Sequence, residues 1–242
     1  MSERGSVLVV GAGDATGGAV ARRFAREGLI ACVARRHESE LSTLVEAIRA
    51  QGGRAEPFGV DTRDEDQVVS LLETIERDLA PIEVAVYNVG SLVRTSVVET
   101  TSRVFRSAWE ATCFGGFLVG REAARHMLTR GRGTILFTGA TASLRGGNGF
   151  AAFAAGKHGL RALSQSMARE LGPKGIHVAH AVIDGMIDTP SLGVKFPDAL
   201  ALKGGAGLVN PDDIADAYWQ LHVQPRSAWT QELDLRPWSE KF

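Results

Sequence analysis

Short, unbroken apolar runs alternate with segments of helical spacing along the whole of this 242-residue chain, and that alternation leaves few folds open. Val7-Leu8-Val9-Val10 is the first run, and the segment 19–25 behind it is spaced as a helix. A strand buried on both faces reads as a continuous apolar run rather than an alternating one. A second such run is 29–34, and strands are also predicted over 55–60, 82–87, 134–138, 176–183 and 229–235. Leu41, Leu44, Val45 and Ile48 share one helical face, and helices are predicted over 68–79, 101–129 (in one or two pieces) and 150–171. Gly172-Pro173 stops the last of these, and Pro211 opens another. Strands that alternate with helices build parallel βαβ units. The expectation is a single α/β domain over residues 1–242, with a doubly wound parallel sheet covered by helices on both faces. Residues 191–208 are the one irregular stretch, readable either as a substrate-side flap or as an ordinary surface loop.

Composition narrows the class of protein. The chain is 44% hydrophobic and 23% charged, with a formal net charge of −1. That balance fits a soluble globular domain and not a nucleic-acid or membrane-surface binder. No apolar stretch reaches the roughly 18 residues of a membrane span. The start of the chain has no signal-peptide pattern, and Cys32 and Cys113 have no metal-site spacing. A cytoplasmic protein without a metal is expected.

The first strand runs into Gly11-Ala12-Gly13-Asp14-Ala15-Thr16-Gly17-Gly18. Glycines let a backbone turn sharply and approach a pyrophosphate, and the following helix N-terminus offers unpaired N–H groups and partial positive charge. With that turn, the chain resembles the short-chain dehydrogenase/reductase family, whose Thr-Gly-x-x-x-Gly-x-Gly would fall on Val10, Gly11, Ala15 and Gly17. Ala15 in place of the middle glycine matters only if that residue needs a positive φ. The resemblance continues through Val60-Asp61-Thr62, Asn88-Val89-Gly90 and Asp184-Gly185-Met186-Ile187-Asp188-Thr189, where Asp184 replaces a proline. It implies a Rossmann-like fold. It also implies a nicotinamide cofactor held by Gly11, Gly13, Asp14, Thr16, Gly17, Asp61, Thr62, Asn88, Gly90, Lys157, Asp184, Gly185, Ile187 and Thr189.

The second strand ends in Arg35-Arg36. Members of such folds that select NAD place a carboxylate here. Guanidinium groups instead bind a 2′-phosphate through paired, charge-assisted hydrogen bonds. NADP(H) is therefore expected in preference to NAD(H).

The family reduces a carbonyl with a Tyr proton donor, a Lys one helical turn later, a Ser that polarises the carbonyl and a supporting Asn. The resemblance puts these roles on Phe153, Lys157, Ala140 and Thr112, the last aligned through Phe105, Gly115 and Phe117. Lys157 is retained, and Phe153 and Ala140 carry no proton to give. Tyr87 and Tyr218 are the chain's two tyrosines, and neither has a Lys one turn on. Thr141, Ser143, Asp184, Asp188, Lys157 itself or a loop-borne His are the candidate substitutes, and His158 reads as structural.

Three functions stay open on this reading. One is an oxidoreductase acting on an unidentified carbonyl or alcohol through a non-standard proton donor. The second is a catalytically silent NADP(H)-binding sensor or partner protein. The third is a non-redox enzyme on the same fold. The family's habit of pairing its long helices implies a homodimer or homotetramer. Ala108, Trp109, Phe114, Phe117, Ala123 and Met127, with Phe150, Leu160, Leu163 and Met167, would supply the apolar faces.

Overall fold

The computed structural model describes residues 5–190, 192 and 207–240. The predicted flap at 191–208 lies mostly outside them. Strands β1 (Ser6–Val10), β2 (Ile30–Arg35), β3 (Arg54–Gly59), β4 (Ile82–Tyr87), β5 (Gly133–Thr138), β6 (Ile176–Ile183) and β9 (Glu232–Leu235) form one sheet in the order β3-β2-β1-β4-β5-β6-β9. Every neighbouring pair is parallel. A small parallel pair, β7 (Met186–Ile187) with β8 (Leu208–Val209), was not legible in the sequence.

Each central strand feeds both faces. Val7 and Val9 of β1 pack with helices α1 (Thr16–Arg26), α2 (Ser42–Ala50) and α7 (Pro211–His222). Leu8 and Val10 pack with α3 (Glu65–Asp78), α5 (Gly115–Arg130) and α6 (Ala151–Leu171). Unbroken apolar strands are thus the sequence of a sheet with a core on each side. Burying a Val or Leu side chain contributes ~1.5–3 kcal/mol, so the two cores fix the register of β1 against β2 and β4.

The predicted long helix is in two pieces. Helix α4 (Ser102–Trp109) joins α5 through a π-helical turn over Glu110–Phe114. The buried Tyr87 hydroxyl donates to the Ala111 carbonyl of this turn at 2.5 Å, tying it to the end of β4. Gly115 and Gly116 let the helix lie on β4, because a Cβ on either would come within 2.4 Å of the Tyr87 hydroxyl or the Leu160 side chain.

Two expectations need correction. The last strand begins at Glu232 rather than Trp229. The Trp229 ring stacks on His177 at 4.8 Å, and its indole N–H donates to the Gln224 carbonyl, which holds the chain out of the ladder. The proposed apolar face for self-association is also narrower than expected. Ala108, Ala123, Met127 and Leu160 are buried in this chain's own core, whereas Phe105, Trp109 and Phe117 are exposed.

Candidate active site

The sheet order reverses between β1 and β4, and a cleft opens there at the C-terminal ends of the strands. Gly11 leaves β1 with φ +84°, and a Cβ there would lie 2.9 Å from the Asn88 backbone. Asn88 closes the contact from its side, donating its side-chain N–H to the Gly11 carbonyl at 3.1 Å. Ala15 has φ −106°, so this position does not need glycine. Helix α1 then begins with no acidic residue in its first turn. The buried Thr16 hydroxyl at its start has no hydrogen-bond partner among the described residues, and the space around Gly13 is open. Buried polar groups are rarely left unpaired. An orphan hydroxyl beside free helix N–H groups and an open glycine fits a phosphate, and so fits the pyrophosphate of a dinucleotide.

Gly11, Gly13, Arg35, Arg36, Asp61, Thr62, Asn88 and Gly90 line this cleft of about 350 Å³. Asp14 is exposed and does not. Arg35 makes an ion pair with Glu40 at 2.7 Å. Arg36 is exposed and has no such pair among the described residues. Sequence reasoning missed Arg63. Its guanidinium grips the Asp61 carboxylate through both oxygens and holds that carboxyl below its usual range. Thr62 faces away, with its hydroxyl 3.2 Å from that of Tyr87.

A second cavity, about 800 Å³, holds the other predicted residues. Ala140, Phe153, Asp184, Gly185, Ile187 and Thr189 line it. Lys157 lines neither cavity and stands between them. It is 4% exposed, and its Nζ donates to the carbonyls of Thr138 at 2.7 Å and Val89 at 3.2 Å. Burial without a carboxylate partner pushes its pKa down to about 8. The Phe153 ring centre is 6.0 Å from Nζ. Thr112 is fully buried in the π turn against Gly156, and its hydroxyl accepts the Ser91 N–H at 3.3 Å. It is packed beside Lys157 but is hydrogen-bonded elsewhere.

The other candidates sort clearly. The Ser143 hydroxyl is buried and accepts the Ala140 N–H, a loop cap. His158 is exposed and bonds the Ala154 carbonyl of its own helix. Tyr87 and Tyr218 are buried and tied to Thr62 and Thr138, with their phenols pushed well up by burial. Thr141 instead donates to Asp184 at 2.6 Å, and both line the second cavity.

Residues 6–199 match the family model described as short chain dehydrogenase. The chain belongs to the short-chain dehydrogenase family. A short-chain dehydrogenase/reductase of Hericium erinaceus is 32% identical over 227 residues, covering 89% of each chain. Gluconate 5-dehydrogenase of Gluconobacter oxydans is 29% identical, covering 94% of this chain and 83% of that one. Among solved structures, a short-chain dehydrogenase from Rhodopseudomonas palustris is 48% identical, with a TM-score of 0.84 over 97% of this chain and 99% of its own. A variant of actinorhodin polyketide ketoreductase with NADPH is 25% identical, with a TM-score of 0.89 over 98% of this chain and 97% of its own. The coarse class is therefore an oxidoreductase of the short-chain dehydrogenase type. Among the described residues no helix is long and apolar enough to cross a membrane.

Proposed function

We propose that this short-chain dehydrogenase binds NADP(H) in preference to NAD(H) and acts on a small alcohol or carbonyl substrate without the family's Tyr and Ser. The observation that carries the cofactor reading is the cleft at the sheet reversal. There Arg36, which makes no ion pair among the described residues, lines the groove together with Gly11 and Gly13, and the orphan Thr16 hydroxyl lies buried at the start of the helix that follows. The NADPH of the structurally similar ketoreductase supports the same choice. Thr16, Gly13 and the start of α1 would hold the pyrophosphate, with Arg36 and Arg35 at the 2′-phosphate. Asp61, Asn88 and Gly90 would line the rest of the groove, with Asp184, Gly185, Ile187 and Thr189 toward the nicotinamide. When bound, the cofactor supplies or takes a hydride.

The chain's own residues must handle the proton. Phe153 and Ala140 stand at the Tyr and Ser positions and cannot. Lys157 is the titratable group beside Phe153, and its lowered pKa brings its proton within reach of neutral pH. Thr112 steadies the π turn beside it. A silent NADP(H)-binding protein is the second reading, favoured by Phe153 and Ala140 lining the very cavity a proton donor would serve.

Fluorescence titration with NADPH and, separately, NADH tests the cofactor assignment. Tighter NADPH binding supports it, and failure to bind either refutes it. Turnover with a carbonyl panel and NADPH or an alcohol panel and NADP+, abolished by Lys157→Met, separates the enzyme from the silent binder. We also assign the exposed Phe105, Trp109 and Phe117 face to a homodimer or homotetramer, with sedimentation as the check. The free thiols Cys32 and Cys113 suit a cytoplasmic location.

A further inference from the structure

Around Asp184 the backbone donors of the larger cavity's inner wall are already engaged. The Ala140 N–H is taken by the Ser143 hydroxyl, the Gly139 N–H by the Ala181 carbonyl and the Asp184 N–H by the Leu235 carbonyl. Phe153 offers a ring, and Lys157 is not part of this wall. Thr141 and Thr189 both bring a hydroxyl to this cavity, and the one proton of Thr141 goes to the Asp184 carboxylate at 2.6 Å. A carboxylate can only accept, so the direction of that bond is fixed.

Asp184 is buried between two guanidinium groups. It is 1% exposed, Arg145 and Arg236 lie 3.7 and 3.5 Å from its two oxygens, and its Oδ2 accepts no hydrogen bond among the described residues. The end of the chain holds it there, since a Cβ on Gly185 would lie 2.7 Å from Pro237. What Thr141 still has to offer the cavity is its lone pairs.

We propose that the Thr141–Asp184 pair makes this site select a hydrogen-bond donor, so that the substrate enters as an alcohol and not as a carbonyl. The inference rests on the larger cavity being the substrate site of the reading above. Donor and acceptor roles are reversed relative to a Tyr–Ser site. The substrate hydroxyl donates to Thr141 Oγ1, and Thr141 donates onward to Asp184 Oδ1. The rest of the wall, with Leu92, Phe150, Met186 and Ile187, takes an apolar body. Arg94, Arg145 and Glu240 also line this cavity, so it carries charges of both signs.

The test is a matched pair of probes, 1-phenylethanol and acetophenone, whose affinities are measured by ligand-observed NMR on the whole protein, with and without saturating NADP+. The alcohol should bind about tenfold more tightly, as a made rather than an unmade hydrogen bond gives. Thr141→Val, which keeps the shape and removes the acceptor, should bring the ratio to about one. Asp184→Asn should lower or invert it, because the amide can donate to Thr141 and free the hydroxyl proton for a ketone. If the asparagine variant fails to fold, Thr141→Val alone decides. Equal or tighter ketone binding by the wild type, or a ratio unmoved in Thr141→Val, overturns the proposal. A preference lost on adding NADP+ also overturns it, since the acceptor then serves the nicotinamide amide. Because the ratio is read in cofactor-free protein too, failure of NADPH binding leaves this test standing on its own.

Discussion

The ammonium of Lys157 sits 2.7 Å from the Thr138 carbonyl oxygen, with no carboxylate paired to it among the described residues. A cation held by backbone dipoles at the end of β5 joins the two cavities of the site, and its proton is weakly held for a lysine.

That proton has a consequence for stability. The unfolded lysine releases it near 10.5 and the folded one near 8, so between those values the unfolded chain binds more protons. Lys157 therefore lowers stability fully below pH 8, and the penalty is relieved as pH rises toward 10.5. His180 behaves alike at the acid end. Its ring is fully buried and its pKa falls to about 4 by desolvation, against an ordinary 6.5, so stability should drop as pH falls through that window. Thermal melts of the wild type and His180→Asn from pH 7 to 4 should show a flatter slope in the variant. Equal slopes would refute the assignment. His177 and His222, also lowered by burial, would leave a residual slope.

Arg35 and Arg36 should not contribute equally to cofactor choice. Arg35 must leave Glu40 before it can meet a phosphate, while Arg36 is unengaged. Arg36→Ala should lower the NADPH/NADH affinity ratio by ~10-fold or more, the size of a lost charge-assisted bond. Glu40→Gln should raise the ratio by freeing Arg35. Titrations of both cofactors against each variant read this directly, and an unchanged ratio in Arg36→Ala would remove the arginines from the account.

Restoring the family's pair is the sharpest test of the chemistry. Phe153→Tyr with Ala140→Ser puts a phenol beside Lys157 and a hydroxyl on the facing wall. A positioned acid contributes ~10²–10⁴ in rate. Carbonyl-dependent NADPH oxidation should rise by at least ~100-fold over the wild type. No rise in a folded, NADPH-binding double variant would mean that the cavity has lost more than these two groups.

The glycines of the first turn should separate by geometry. Gly11→Ala meets both a positive φ and the Asn88 backbone at 2.9 Å, and should destabilise the fold by ~1–3 kcal/mol and weaken cofactor binding. Gly13→Ala meets nothing within 4 Å and should leave the melting temperature in place. Parallel melts and titrations of the two variants decide it.

The centre of the sheet was legible because β1 and β2 are buried on both faces and read as apolar runs; Ile176–Ile183 has the predicted bounds. The last strand was over-extended because Trp229 looks like a strand residue, while its stacking on His177 is a contact no local pattern encodes. The glycine-rich turn was legible because its glycines fall close together directly after β1. The Arg63–Asp61 grip was not, although the residues are neighbours, because nothing in a sequence says which way a guanidinium turns. The Asp184 cluster was the least visible. Thr141, Arg145, Asp184 and Arg236 come from three separate stretches of chain and meet only once β6 and β9 are paired.

That last pairing divides the two cavities between different stretches of chain. The glycine turn, the two arginines, Asp61 and Asn88 all lie between residues 11 and 88, among β1 to β4. The wall around Asp184 instead depends on residues 235–237, where the Leu235 carbonyl takes the Asp184 N–H and Pro237 lies against Gly185. A change near residue 236 can therefore reshape the larger cavity and leave the glycine turn as it is.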